Sequence, residues 1–334
     1  WFNIKESIGN VDFIGYDTLE AKGKVKKIIQ YGNKVDSISN EDEFFLITNQ
    51  TPFFGESGGQ VGDIGTISKE DGAEVSVIDT ILPIFDLYVH KCKLQKGKLR
   101  TGDTIKFSVN KQHRDDVRRN HTATHLLHSF LRKKFGQSLT QKGSLVRHDR
   151  FRFDFNHPKA ISQNVLDEIE REINLLILNN FEVQTKIMSY KDSLKTEAIG
   201  LFGEKYDKDV RVVFIAENKA ALQKHSIELC KGTHVNHLGE IGRIKILSEG
   251  AIAAGTRRIE AISGRFAFKN LQKSFNELNS VTEVIQAEDG HSLERIQNIL
   301  KEQKKLTKEL DVLKQKELVK QLKIYVPEKI GNTQ

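Results

Sequence analysis

Two pairs of potential metal ligands stand far apart in the sequence. His121 and His125 form an HxxxH pair, and Cys230 and His234 form a CxxxH pair much later in the chain. Residues four positions apart on a helix lie on one face, so the imidazoles of the first pair can converge on one ion. A thiolate combined with imidazoles is a donor set that suits zinc. Together the pairs predict a zinc site, whereas each pair alone is also typical of surface histidines, a loop histidine or a small buried thiol.

The neighbours of the first pair extend this predicted site. His128 shares the helix face of His121, where it either orients a ligand or borders the substrate. Thr124 either places a hydroxyl beside the substrate or bonds to its own backbone, and His237 is a looser alternative ligand. Four protein ligands would close a tetrahedral zinc and favour a structural role, whereas a catalytic zinc keeps one position open. The residues leave both roles open.

The elements that must position these residues fall into three regions. Up to residue 110, short runs rich in β-branched and aromatic residues alternate with Gly and Asp, which predicts a small β-barrel or sandwich. These strands are expected at 44–48, 75–78, 87–90 and 104–109. Residues 111–265 mix helical periods at 115–135 and 163–178 with strands at 150–155, 210–215 and 243–247, which indicates an α+β fold. Residues 266–334 predict a long amphipathic helix, either packed on its own domain or forming a coiled coil.

Composition restricts the class of protein. The net charge is +7 and the pI about 9.1, which suits a polyanionic partner such as nucleic acid but is also typical of a generic basic enzyme. Arg114, Arg118 and Arg119 are either phosphate contacts or part of a solvated helix face. The two cysteines, the lack of a secretory signal and the lack of a membrane-length apolar stretch predict a cytosolic protein without a disulfide framework. The start without Met is interpreted as that of a fragment.

Seven segments resemble, in order, the editing domain of alanyl-tRNA synthetases and the barrel that precedes it. They are Glu56–Asp63 (ESGGQVGD), Arg118–Leu127 (RRNHTATHLL), Gln141–Leu145 (QKGSL), Arg152–Phe155 (RFDF), Leu201–Tyr206 (LFGEKY), Cys230–His234 (CKGTH) and Arg257–Ala261 (RRIEA). The resemblance covers about residues 13–265, and the combination of motifs is highly specific. It departs from the family at Lys231 and Ala251, where glycine is usual, which puts the local loop geometry in doubt.

The resemblance implies a β-barrel followed by an antiparallel sheet flanked by helices. It implies hydrolysis of the ester that joins serine or glycine to alanine-specific tRNA, with His121, His125, Cys230 and His234 as zinc ligands. Thr124 and Gln141 match pocket positions and are predicted to act in catalysis and amino-acid choice. Predicted substrate or tRNA contacts are Asn120, Lys142, Gly143, Ser144, Arg258, Gly58 and Gly59. Zinc would either activate a water or position the substrate, and the tail would allow a homodimer.

Other functions fit the same residues. A free-standing trans-editing hydrolase would perform the same chemistry without a synthetase. The threonyl-tRNA synthetase editing domain shares the HxxxH and CxxxH pairs but matches the barrel motif and the QKGS segment less well. An RNA-binding module with a structural zinc would bind tRNA without hydrolysing it. Because the family's aminoacylation domain is not recognised, we expect no charging of tRNA.

Overall fold

The computed structural model describes residues 1–39, 41–200, 207–216, 224–288 and 290–324. It contains two compact units, Trp1–Phe268 and Lys269–Gln334. The predicted family segment Leu201–Tyr206 lies outside the described residues. Within the described part, we find no helix with the length and apolar character that a bilayer crossing requires.

The N-terminal region of the first unit is a closed β-barrel. Six antiparallel strands follow the order β11-β7-β8-β9-β5-β2, and β11 pairs again with β2 to close the ring. The elements are α1 (Phe2–Ile8), β1 (Asp12–Phe13), β2 (Glu20–Gln30), β3 (Asn33–Val35), β4 (Ser37–Ile38), β5 (Glu43–Thr48), β6 (Gln50–Thr51), β7 (Gly65–Ser68), β8 (Glu74–Ile84), β9 (Leu87–Lys96), β10 (Leu99–Arg100) and β11 (Thr104–Val109). The predicted barrel is confirmed.

Alternating burial explains most of the barrel strands. In β11, Ile105, Phe107 and Val109 are buried while the residues between them are more exposed, as expected for a strand with one face on a core. Strand β2 is Lys-rich and was not predicted, although Val25 and Ile28 are fully buried within it. The buried apolar residues of the ring fall into two clusters, a main one that includes Val25, Ile28 and Phe107 and a smaller one that includes Ile29, Ile47 and Val89.

The rest of the first unit contains two antiparallel sheets and the helices that cover them. A four-stranded sheet has the order β12-β13-β18-β17, and a three-stranded sheet has the order β14-β15-β16. The elements are α2 (Lys111–Phe135), β12 (Gln141–Val146), β13 (Phe151–Asn156), α3 (Gln163–Leu178), β14 (Val183–Ser189), α4 (Tyr190–Lys195), β15 (Asp209–Ala216), β16 (Lys224–Leu229), a 3₁₀ turn (Leu238–Ile241), β17 (Ile244–Ala253) and β18 (Thr256–Ser263). The α+β fold with an antiparallel sheet flanked by helices is confirmed.

Helices α2 and α3 cover the four-stranded sheet. Phe151, Phe153 and Phe155 alternate along β13 and are fully buried, in one apolar cluster with Leu127 of α2 and Ile173 of α3. Because this cluster holds α2 against the sheet, it also fixes which side of α2 faces away from the sheet toward β16.

A buried ion pair joins α2 to the barrel. The guanidinium of Arg114 is fully buried, and its single Nε–H is shared by the two oxygens of the Asp63 carboxylate at 2.9 and 3.0 Å, while Nη2 also donates to Oδ2 of Asp63. Its Nη1 and Nη2 donate to the carbonyls of Gly15 and Pro52 at 2.6 and 2.7 Å. The prediction that Arg114 contacts phosphate or lies on a solvated face is therefore wrong, because the residue cross-links elements inside the protein.

The second unit, Lys269–Gln334, is helical where it is described. Helix α5 (Gly264–Val284) continues into it from the first unit, and α6 (Ser292–Ile324) follows. These helices confirm the predicted helical tail, whereas its pairing as a coiled coil stays a prediction. The predicted domain boundary between residues 110 and 111, within the first unit, also stays a prediction.

Candidate metal centre and adjoining cavity

One face of α2 carries the predicted ligands. Asn110 caps the helix by accepting a hydrogen bond from the His113 backbone N–H at 3.0 Å, which sets where the helical register begins. At the helical spacing this register places His121, His125 and His128 on one side, where all three are buried. Burial of polar imidazole rings on one face of a helix costs free energy unless those rings have hydrogen-bond partners.

The two ligand pairs meet in one cluster. His121, His125, Cys230 and His234 each offer a ligand atom, and these atoms lie within 4.8 Å of one another. Cys230 Sγ lies 3.4 Å from His121 Nε2 and 3.4 Å from His234 Nε2. This cluster can hold a metal ion, and one thiolate with three imidazoles is a donor set that suits zinc. His237, the looser alternative, is exposed beside Glu240 and is not part of the cluster.

Gln60 from the glycine-rich barrel loop orients the first histidine. Its Oε1 accepts hydrogen bonds from His121 Nδ1 at 2.7 Å and from the Thr233 backbone N–H at 2.9 Å. Its Nε2 donates to Thr233 Oγ1 at 2.9 Å, and the side chain is fully buried. Since the proton of His121 is thus held on Nδ1, its Nε2 presents a lone pair to the centre of the cluster.

The other two histidines are oriented in the same manner. His125 Nδ1 lies 2.8 Å from Oε2 of Glu228, and His234 Nδ1 lies 3.3 Å from Oγ1 of Thr122. The buried Nε2 of His125 has no hydrogen-bond partner within the described ranges. With Nδ1 occupied on each ring, Nε2 is left for a metal, which is the usual arrangement around metal-bound histidines.

The charges of the cluster match this role. Burial would raise the pKa of the Cys230 thiol, but the adjacent His121 and His234 outweigh it and hold that pKa well below its usual range. Burial, with His121 beside it, holds the pKa of His234 well below its usual range. Burial opposes protonation of His125, yet Glu228 raises its pKa to about 10, so binding of a metal at this ligand displaces a proton.

Arg211 holds the loop that carries Cys230 in place. Arg211 Nη1 donates to the carbonyls of Cys230 and Gly232 at 2.9 and 2.8 Å, and its guanidinium lies 4.2 Å from the centre of the Tyr16 ring. A Cβ at Gly232 would collide with the His121 ring and would lie 2.8 Å from Oε1 of Gln60. Only glycine fits here, whereas the side chain of Lys231, the departure from the family pattern, is exposed at the surface.

A cavity of about 190 Å³ adjoins the cluster. Three ligands, His121, His125 and Cys230, form part of its wall. Four predicted site residues also line it, namely Gly58, Thr124, Gln141 and Ser144. Thr124 Oγ1 donates to the Asn120 carbonyl at 2.8 Å, and Gln141 Nε2 donates to Ser144 Oγ at 3.2 Å. The cavity therefore places polar side chains next to a cluster that can hold a metal ion.

The remaining predicted contacts are not among the described residues that line this cavity: Asn120, Lys142, Gly143, Gly59 and Arg258. The side chain of Asn120 is buried, donates to the Arg147 carbonyl at 2.7 Å and accepts from Ser263 Oγ at 2.7 Å. Arg258 makes a two-bond ion pair with Asp154 at 2.7 and 2.8 Å. These contacts give both residues a role in packing, and their roles in substrate binding stay predictions.

The two loop glycines are required by the turn itself. Gly58 and Gly59 have φ of 58° and 86°, and Ser57 and Gln60 pair across them. Positive φ at both central positions strongly favours glycine. The backbone of Gly59 is also bonded to strand β12: the Val146 N–H donates to its carbonyl at 2.7 Å. The turn thereby seats Gln60 beside His121.

Sequence reasoning missed the three residues that orient the ligands: Gln60, Thr122 and Glu228. Gln60 lies within the glycine-rich motif, where the glycines drew attention, and Glu228 lies two positions before Cys230. The sequence does contain a signal for such residues, namely an amide and a carboxylate next to metal-ligand motifs. Metal-bound histidines need an acceptor for the N–H of the second ring nitrogen.

Comparisons with known proteins agree with the motif resemblance. Residues 2–113 match the family model described as tRNA synthetases class II (A), and residues 210–260 match the one described as Threonyl and Alanyl tRNA synthetase second additional domain. The chain is 46% identical over 312 residues to alanine–tRNA ligases of Rickettsia typhi and Rickettsia prowazekii, and 45% identical over 312 residues to that of Rickettsia bellii. Each alignment covers 93% of this chain and 35% of the relative, so the chain spans about a third of the curated relatives it matches.

Proposed function

Because the chain belongs to the alanyl-tRNA synthetase family, we propose that it hydrolyses the ester of alanine tRNA mischarged with serine or glycine. The observation that carries the proposal is the polar cavity of about 190 Å³ whose wall includes three residues of the buried metal-binding cluster. A cavity of that size suits a small aminoacyl group rather than a nucleotide.

We propose zinc as the metal at His121, His125, Cys230 and His234. Zinc bound there would supply a Lewis acid that holds the amino group of the substrate or polarises its ester. We favour the holding role because three or four protein ligands leave little room at the ion for both a water and the substrate. A metal ligand set containing a free thiolate also fits a reducing compartment such as the cytoplasm.

The protein's own residues would position the ester. In the proposed complex, Thr124 uses its hydroxyl proton on the Asn120 carbonyl, so its oxygen is available as an acceptor for the substrate. Gln141 is held by Ser144 and keeps its carbonyl oxygen for the same purpose. We assign these two residues the catalytic and selective contacts of the cavity, with Gly58 bringing backbone close to the acyl group.

A basic surface supports tRNA as the partner. A groove of about 690 Å³ beside the N-terminal part of α2 is lined by Lys111, Arg119, Arg243 and Arg265 together with Asp115 and Glu240. Each of these cations also pairs with a carboxylate of the protein, Lys111 with Asp115, Arg119 and Arg265 with Asp116, and Arg243 with Glu170. Phosphate contacts here would exchange those ion pairs for pairs with RNA, and they would position RNA without reading sequence.

The helical tail supports a proposal of self-association. Helix α6 exposes apolar side chains in two runs, Leu293 and Leu300 seven residues apart, then Leu306, Leu310 and Leu313 at steps of four and three. A second copy of the same helix would bury these runs in a coiled coil. Sedimentation equilibrium of the chain should give a dimer mass, and a monomer mass at every concentration would contradict the proposal.

Deacylation assays test the activity directly. Alanine tRNA charged with serine or glycine should lose its amino acid when the zinc-loaded chain is added, whereas alanine-charged tRNA should be spared. A chelator should abolish turnover. Cys230→Ala should remove activity while tRNA binding remains, and Cys92→Ala is the matched control because Cys92 is buried in the barrel away from the cluster. Lack of turnover on seryl-tRNA by the loaded wild type would refute the proposal.

The four-ligand set also favours a second candidate, an RNA-binding module whose zinc is purely structural. In that case the chain binds tRNA but leaves every ester intact, and Cys230→Ala unfolds the first unit. Circular dichroism of the variant alongside the deacylation assay separates the two functions.

A further inference from the structure

His128 is a buried polar residue of the cavity that the proposed chemistry leaves unused. It lies on the same face of α2 as His121 and His125 and is 2% exposed. His128 is one of the residues that line the cavity, and its ring lies 5.1 Å from the Phe153 ring between ring centres. It is not among the four residues of the metal-binding cluster.

Glu228 fixes the tautomer of His128. Its Oε1 lies 3.2 Å from His128 Nδ1, and the same oxygen accepts from Ser226 Oγ at 3.0 Å. A carboxylate offers acceptors alone, so the shared proton belongs to Nδ1 of the imidazole. The Nε2 atom of His128 therefore carries a lone pair, and this buried atom has no hydrogen-bond partner in the part of the chain that the structure describes.

An unsatisfied buried acceptor is destabilising, which points to a ligand that satisfies it. The neighbouring polar groups have each made a bond inside the protein: the hydroxyl proton of Thr124 goes to Asn120, and the carboxamide of Gln141 donates to Ser144, which leaves an oxygen of each as an acceptor. His128 differs from them because its buried Nε2 has no hydrogen-bond partner among the described residues.

We propose that Nε2 of His128 accepts a hydrogen bond from the side-chain hydroxyl of the seryl group, which makes His128 a determinant of amino-acid specificity. The proposal rests on the proposed editing function. It answers a physical problem, because an apolar pocket discriminates poorly for an added hydroxyl, whereas a site built to bond that hydroxyl discriminates strongly.

Two substitutions separate substrate contact from positioning of Glu228. His128→Asn keeps a donor near the place of Nδ1 and so preserves the bond to Glu228, but it removes the acceptor at Nε2. His128→Gln places an amide near Nε2 and loses the bond to Glu228. We expect the Asn variant to lower kcat/KM for seryl-tRNA by about 10- to 100-fold more than for glycyl-tRNA, since glycine has no hydroxyl to lose. The Gln variant should restore part of the seryl preference.

The opposite pattern would overturn the proposal. If Asn retains the ratio of seryl to glycyl kcat/KM and Gln lowers both rates together with bound zinc, His128 acts only by orienting Glu228. Zinc content measured on each variant distinguishes these outcomes. If wild type does not turn over seryl-tRNA, the editing function fails and this inference fails with it. If wild type does turn it over and His128→Asn leaves the ratio of seryl to glycyl kcat/KM unchanged, only this inference fails.

Discussion

The orientation of His121 by Gln60 makes a quantitative prediction about metal affinity. Gln60→Met fills the same space but removes the acceptor of the His121 Nδ1 proton and of the Thr233 N–H. Loss of a group that orients a metal-bound histidine lowers affinity by about 10- to 100-fold, which corresponds to about 1.4–2.7 kcal/mol of binding free energy. The metal-free protein should also be destabilised by about 1–3 kcal/mol, because a buried N–H is left unpaired.

Competition with a chromophoric chelator measures the zinc affinity, and urea unfolding of the metal-free chain measures the stability. Gln50→Met is the matched control, since Gln50 makes one side-chain bond to the Lys22 carbonyl at the barrel surface. Gln60→Glu keeps an acceptor and should hold zinc at least as tightly as wild type. A Met variant that binds zinc within about threefold of wild type, below the lower bound expected for an orienting group, would refute the reasoning.

Three other perturbations test the architecture around the site. Arg114→Met should lower the free energy of unfolding by about 3–5 kcal/mol, because it leaves the buried Asp63 carboxylate without its ion-pair partner. Adding Asp63→Asn should recover part of that loss in urea titrations. Burial lowers the pKa of His90 to about 4. Between pH 6.5 and 4 the unfolded chain therefore binds a proton at His90 that the folded chain does not bind. The free energy of unfolding should fall by about 3 kcal/mol over this range. His90→Gln should flatten that slope, and an unchanged slope would contradict the assignment. Gly59→Ala should lower the free energy of unfolding more than Gly72→Ala, since both have positive φ but only the first places its Cβ against a neighbouring strand. Equal thermal shifts would contradict this.

Local patterns accounted for several of the elements and brought out the candidate metal ligands. Helix α3 was predicted at 163–178 and is observed at Gln163–Leu178, because its apolar period is regular and uninterrupted. The predicted helix at 115–135 begins four residues earlier, at Lys111, where Asn110 provides the cap. The HxxxH and CxxxH pairs were recognisable because spacing within one helix or loop is encoded by neighbouring residues.

Contacts between distant residues were not accessible from the same patterns. His121 and Gln60 are 61 positions apart, and Thr122 and His234 are 112 positions apart. Arg114 illustrates the difficulty: a charged residue near a helix start is usually solvated, and its burial depends on Asp63 and two carbonyls supplied by the barrel. Strand β2 was missed because lysines cover its outer face.

These long-range contacts explain why the barrel and the metal centre form one functional structure. The glycine turn at Gly58 and Gly59 directs Gln60 out of the barrel, and Gln60 bonds both His121 on α2 and Thr233 in the loop of Cys230. The barrel therefore fixes one candidate ligand, His121, and the loop between Cys230 and His234 through one amide. Because the same turn contributes Gly58 to the cavity wall, a change in the barrel loop would alter the candidate metal cluster and the adjoining cavity together. For this reason we expect variants of the turn to change zinc affinity and substrate turnover in the same direction.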